Sequence, residues 1–244
     1  MLIAAASCPH PPLLIPEATG LPGADADLGR LRAACDQAVA ALLAGRPDLV
    51  VVVGTDPKTP RTVEYPPDAV ASLREFGVPF TAGGLPGGQD GSAVLPLSLT
   101  VGKWLLSRAA AGPQRRRSAW WGIAADAAPG ECLDVGAKLA ALAPRVALLA
   151  MGDGPGRRAR GAPGAADPEA DRYDDQVAAA LAAADPGALA ALDPGRDGGL
   201  FIAGRAAWQV LAGAAGAGPF DAVLRYRGAP YEVTYVVASW RRRA

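Results

Sequence analysis

The sequence of 244 residues contains a single histidine, and this scarcity excludes several kinds of site. A centre that needs two or three imidazoles cannot form within one copy of the chain. No serine occurs in a G-x-S-x-G motif, and no second histidine is present to complete a triad that uses His10 as its base. His10 is therefore the first residue to examine for function.

Cysteine is also scarce, with only Cys8, Cys35 and Cys132. An odd number, wide spacings and the lack of a C-x-x-C pair argue against a disulfide framework and against a zinc knuckle. The N-terminus lacks a basic segment and its apolar stretch ends at Pro9, which is too short for a signal peptide. No run approaches the ~18 consecutive apolar residues that a spanning helix needs. We therefore expect a cytoplasmic protein that does not bind a membrane.

The chain has no net charge, because its 24 basic residues balance its 24 acidic residues. A balanced chain offers no electrostatic footprint for nucleic acid, so we expect no nucleic-acid partner. Half of the residues are hydrophobic, which is ordinary for a globular protein.

The order of apolar patterns predicts the fold class. Continuous apolar runs predict buried strands, and apolar residues at helical spacing predict helices. The segment 54–91 is interpreted as an extended loop with a short strand at 78–80. The pattern predicts one three-layer α/β/α domain over residues 1–244, with a mixed, mainly parallel central sheet. The predicted strands are 2–6, 49–53, 118–125 and 145–151, the helices 25–44, 95–110, 130–142, 168–184, 187–192 and 203–212, and the closing hairpin 220–227 with 231–240.

Three loops that leave predicted strands each carry a polar residue at the strand exit, namely His10, Asp56 and Asp153. Ligands of open α/β sheets bind at the carboxyl ends of the strands, so these residues are candidates for one pocket. The alternative is structural. His10 would then bond to backbone in its proline-rich turn, and the two aspartates would cap turns or helix starts.

Cys8 lies two residues before His10. Alternate residues of a strand share a face, so a Cys–His pair is one interpretation. The other is that Cys8 is a small buried apolar residue. Trp120 and Trp121 are expected to pack in or beside the sheet.

Glycine- and arginine-rich segments give only weak signals. Residues 152–156, followed by Arg157, Arg158 and Arg160, suggest a phosphate cradle but match neither a P-loop nor a dinucleotide-binding motif. Residues 83–88 are glycine-rich without a phosphate motif. The arginine runs 115–117 and 241–243 are interpreted as solvated ends of elements, with contact to a partner as the alternative.

The order of these motifs resembles the subunit-B-like family of class III extradiol ring-cleavage dioxygenases, to which Memo-type proteins are related. Residues 8–12 are similar to the N-terminal turn that supplies the family's first metal-binding histidine. Residues 50–54 resemble the strand before its second metal histidine, and residues 148–153 the strand leading into its Gly-Asp-x-Ser-His signature. Residues 170–174 fit the following segment, so the resemblance covers nearly the whole chain.

The resemblance implies a non-haem Fe(II) site of two histidines and a carboxylate. This chain departs from that pattern. Asp56 or its neighbours stand in place of the second histidine, and Gly156 stands in place of the signature histidine. His10 remains, and Glu232 is a candidate carboxylate.

From these departures we expect a dioxygenase-like protein that has lost the iron site, holds no metal or other cofactor and does not cleave aromatic rings. A small-molecule pocket at the former active site would be lined by His10, Asp56, Asp153 and Glu232. The alternatives are an enzyme of the same fold with remodelled acid–base or metal chemistry centred on His10, and an interaction scaffold without a ligand. The sequence makes no prediction of oligomeric state.

Overall fold

The computed structural model describes residues 1–19, 26–83, 93–109, 117–156 and 168–243. Within these ranges, the chain forms nine strands and seven α-helices. The strands are β1 (Leu2–Cys8), β2 (Leu49–Asp56), β3 (Val63–Tyr65), β4 (Ala71–Ser72), β5 (Thr81–Ala82), β6 (Arg117–Ala124), β7 (Val146–Met151), β8 (Phe220–Gly228) and β9 (Tyr235–Arg242). The α-helices are α1 (Ala26–Ala44), α2 (Leu97–Ala109), α3 (Pro129–Ala140), α4 (Pro168–Ala183), α5 (Pro186–Ala190), α6 (Asp197–Leu200) and α7 (Arg205–Ala215).

Seven of these strands form one sheet in the order β3-β6-β2-β7-β1-β9-β8, and β4 pairs with β5 separately. The four central strands β6, β2, β7 and β1 run parallel. The strands at both sides, β3 on one and β9 with β8 on the other, run antiparallel to their neighbours. The strands predicted at 2–6, 49–53 and 145–151 therefore correspond to three neighbours in one sheet, β1, β2 and β7.

Helices cover both faces of the sheet, which explains the continuous apolar runs of its central strands. Val50 and Val52 face the layer that contains α1 and α2, whereas Val51 and Val53 face the layer that contains α3 and α7. All four valines are buried. The predicted three-layer α/β/α architecture with a mixed sheet and a parallel core is therefore correct.

Glycines allow α3 and α7 to cross at close range. A Cβ atom added to Gly136 would lie 2.1 Å from the carbonyl oxygen of Val210, and one added to Gly213 would lie 2.1 Å from that of Leu133. Real Cβ atoms do not approach so closely, so side chains at either position would push the helices apart.

Two local predictions differ from the structure. Residues 78–80 form no strand. The short strands of that region are β3, β4 and β5. The closing hairpin is confirmed, but its second strand begins at Tyr235 rather than at Tyr231. Tyr231 and Glu232 have φ values of 79° and 59°, a left-handed conformation that a strand cannot include.

Trp120 and Trp121 lie in β6, as expected. In the part of the chain that the structure describes, no helix combines the length and apolar character needed to cross a membrane.

Candidate functional site

The carboxyl ends of three neighbouring parallel strands bring the predicted residues to one edge of the sheet. Cys8 of β1 pairs with Met151 of β7, and Met151 pairs with Gly54 of β2, so these residues form one row across the sheet. His10, Asp153 and Asp56 each follow two residues later. Adjacent strands lie about 4.8 Å apart, so the three positions belong to one small region of the edge.

His10 and Asp153 form a direct pair in this region. The backbone N–H of His10 donates a hydrogen bond of 2.7 Å to Asp153 Oδ1. The imidazole Nδ1 lies 3.6 Å from the same oxygen, which is a charge contact rather than a hydrogen bond. His10 is only 6% exposed. The structure therefore brings His10 and Asp153 into contact at the exits of two adjacent strands.

The two imidazole nitrogens of His10 differ in environment. Nδ1 is buried without a hydrogen-bond partner among the described residues, whereas Nε2 is not among the buried unpaired atoms. A carboxylate beside Nδ1 favours the tautomer with its proton on that atom and leaves Nε2 as a proton acceptor. The pair therefore has the chemistry of a general base or of a hydrogen-bonding site for a ligand.

Asp153 is held in a poorly solvated position. Burial raises the pKa of its carboxyl group above the ordinary value, and the neighbouring His10 opposes part of this rise. Burial disfavours the charged carboxylate and so raises its pKa, whereas a nearby imidazole favours the charged form and so lowers it.

Local structure fixes both residues of the pair. The turn after His10 continues into the 3-10 helix Pro12–Leu14, and Arg32 of α1 donates hydrogen bonds of 2.8 Å to the carbonyl oxygens of Leu13 and Leu14. Gly152 N–H donates to the Cys8 carbonyl oxygen at 2.9 Å, which joins the end of β7 to the end of β1. The backbone that carries the pair is therefore anchored from both strands.

Asp56 lies at the same edge of the sheet, but its hydrogen-bond partners among the described residues are not His10 or Asp153. Its Oδ2 accepts a hydrogen bond of 2.5 Å from the Tyr65 hydroxyl, and its Oδ1 accepts one of 3.0 Å from the Lys58 backbone N–H. The carboxylate is buried and engaged through both oxygens. The structure thus supports the turn-capping interpretation of Asp56, and it shows no hydrogen bond or ion pair from Asp56 to His10 or Asp153 among the described residues.

Glu232 is exposed and lies on the rim of the same edge. Its neighbour Val233 forms a β-bridge with Gly156, and Thr234 accepts a hydrogen bond of 2.9 Å from Gly154 N–H. The backbone of this segment therefore runs alongside the loop that follows Asp153. Glu232 belongs to the border of the region rather than to its buried centre.

Two residues of the site escaped the sequence analysis. Cys35 of α1 is buried against Cys8, and burial together with a hydrogen bond to Cys8 raises the pKa of the Cys35 thiol. Burial and then the charge of Asp153 raise the pKa of Tyr235. Cys35 occupies an apolar helical position and Tyr235 lies in a strand pattern, so neither carries a sequence signal for function.

Cys8 is buried and forms no hydrogen bond with His10 in the described ranges. The structure supports its interpretation as a small buried residue. The arginines at 157–160, the glycines at 84–88, and Arg115 and Arg116 lie outside the described residues.

The residues at this edge do not fit a non-haem iron centre. That centre takes two imidazoles and a carboxylate, but the chain has one imidazole. Asp153 already contacts the His10 main chain, and both Asp56 oxygens accept protein hydrogen bonds. Within the described ranges no three His, Cys, Asp or Glu side chains converge as metal ligands do.

Comparisons with known proteins extend the description of the fold. No family model matches the chain, and no curated protein matches it. The chain is similar to the crystal structure of uncharacterized protein JW3007 from Escherichia coli K12, with a TM-score of 0.56 and 16% sequence identity. The match covers 98% of this chain and 99% of that chain. At this identity the similarity shows a shared fold over almost the full length.

Proposed function

We propose that this protein is extradiol-dioxygenase-like, lacks the iron site of that family, and binds a small polar or aromatic molecule over the His10–Asp153 pair without cleaving its ring. The pair carries the proposal, since a buried imidazole beside a carboxylate at the carboxyl edge of parallel strands is where α/β proteins bind ligands. The sequence resemblance supplies the family, and the unsuitable donor set argues against iron.

Exposed aromatic residues on the rim support an aromatic ligand. Phe201 is 65% exposed and Tyr231 is 45% exposed. Phe201 follows Leu200, whose carbonyl oxygen accepts a hydrogen bond from Gly156 N–H, and Tyr231 lies two residues before Val233, which forms a bridge with Gly156. Phe201 has a φ of 55° and Tyr231 one of 79°, and such backbone strain concentrates at binding sites.

The proposal includes a cytoplasmic location. Cys8, Cys35 and Cys132 are all free and buried, which suits a reducing compartment.

Anaerobic reconstitution with Fe(II) tests this function. The purified protein should retain no stoichiometric iron after gel filtration and should cleave no catechol when oxygen is admitted. One equivalent of iron per chain, together with ring cleavage, would overturn the proposal.

A second candidate function is acid–base catalysis by His10, and the contact of its Nδ1 with the Asp153 carboxylate, which leaves Nε2 as the proton acceptor, favours it. In this case the protein turns over a carbonyl- or ester-bearing aromatic acid, and His10→Gln abolishes turnover while the fold remains. Equal turnover by wild type and His10→Gln would contradict this candidate. In another form of this second candidate, His10 binds a metal other than iron. Elemental analysis of the native protein tests for such a metal.

A further inference from the structure

A positively charged cleft lies at the end of the sheet opposite to the His10–Asp153 pair, where β1 begins and β9 ends. Its volume is about 290 Å³. Half of its lining residues are arginines, and no acidic residue lines it. The lining residues are Ile3, Ala4, Ala41, Gly45, Arg145, Arg241, Arg242 and Arg243.

The charges of these arginines are poorly neutralised. Arg243 pairs with Asp221 at 2.7 Å on the surface. Arg145 donates its guanidinium N–H groups to the carbonyl oxygens of Gly45 and Arg46. Arg242 contacts the Leu2 carbonyl oxygen at 3.4 Å and lies 5.5 Å from the centre of the Phe220 ring.

The backbone of Arg241 pairs with Ala4 and Asp221 in the sheet, but its side chain forms no hydrogen bond or ion pair with the described residues. Within the same ranges, the guanidinium groups of Arg145 and Arg242 form no ion pair with a carboxylate, although the Arg145 backbone N–H donates a hydrogen bond of 3.0 Å to Asp48 Oδ2. Three guanidinium groups around one cleft therefore lack a counter-ion from the protein. Arginine guanidinium groups match phosphate oxygens in geometry and charge. An anion with several negative charges neutralises three guanidinium groups better than a single carboxylate does.

We propose that this cleft binds a diphosphate group, either free or attached to a small organic molecule. The volume accommodates such a group together with a small substituent. Arg241 supplies a guanidinium fork without a partner among the described residues, and Arg242 and Arg145 add positive charge on groups that backbone carbonyl oxygens hold in place. The site is independent of the His10–Asp153 region, which lies at the other ends of the same strands.

Isothermal titration calorimetry with inorganic pyrophosphate tests the site. Wild type should bind one equivalent, and Arg241→Gln and Arg242→Gln should each weaken binding about tenfold, as expected for the loss of one charge-assisted contact. Arg74→Gln removes the same charge from an exposed position elsewhere and should leave binding unchanged. Circular dichroism of each variant establishes that the fold is retained.

Parallel titrations distinguish the sources of the phosphate. Tighter binding of ADP than of pyrophosphate assigns a nucleoside diphosphate, and the reverse order assigns free diphosphate. Either result supports the proposal. No binding of either compound, equal weakening by Arg74→Gln, or tighter binding of a DNA oligonucleotide with equal loss in all three variants would overturn it.

Discussion

The hydrogen bond from the His10 backbone to Asp153 gives a measurable contribution to stability. Asp153→Ala removes the acceptor of a buried N–H group that now bonds at 2.7 Å. A buried donor without a partner costs about 1–3 kcal/mol. Asp153→Asn removes the same negative charge but keeps an oxygen acceptor, so it serves as the matched control.

Urea unfolding monitored by tryptophan fluorescence measures the difference between the two variants. Because both lose the poorly solvated carboxylate, their comparison isolates the acceptor. The Ala variant should be less stable than the Asn variant by about 1–3 kcal/mol, with similar m-values. Agreement of the two variants to within about 0.5 kcal/mol would refute the reasoning, since that is the usual spread of neutral substitutions.

Three further predictions concern pH, helix packing and the second carboxylate. The folded-state pKa of Asp153 is raised, so its stabilising contribution is complete below the unfolded value of about 4 and is lost as pH rises through the folded-state value. In urea titrations, Asp153→Asn should therefore gain stability relative to wild type as pH rises above about 4, and a constant difference would contradict this. Gly213→Ala should lower the free energy of unfolding by about 3 kcal/mol or more, whereas Gly29→Ala, whose added Cβ meets nothing within 4 Å, should raise it by about 0.5–1 kcal/mol. Similar values for the two alanine variants in urea unfolding would show that α3 and α7 adjust freely. Tyr65→Phe should cost about 1–3 kcal/mol because buried Asp56 loses its hydroxyl donor, and an unchanged thermal midpoint would rule out that role.

Apolar patterning was sufficient to predict the central fold. Val50 to Val53 are buried on alternating faces, so their continuous hydrophobicity predicts a strand covered on both sides, and the structure has one there. The turns were harder to predict. Tyr231 and Glu232 adopt positive φ although neither is glycine, and no local sequence rule predicts that conformation.

The candidate site was predictable only in part, because strand exits indicate which residues reach the edge but not what they contact there. His10 and Asp153 were expected at adjacent exits and do pair. Asp56 has the same kind of position, yet its carboxylate is engaged by Tyr65 from the antiparallel edge strand β3, which the sequence did not reveal. Tyr235 comes near Asp153 through the register of β9 on β1, a long-range pairing that no local pattern encodes.

The most direct test of the central claim is a calorimetric titration of an aromatic acid such as 3,4-dihydroxybenzoate in the presence of a strong metal chelator. Wild type should bind one equivalent under these conditions, and His10→Ala should lose most of the affinity while its thermal midpoint changes little. Binding that occurs only after Fe(II) is supplied, or binding that His10→Ala leaves unchanged, would contradict the account.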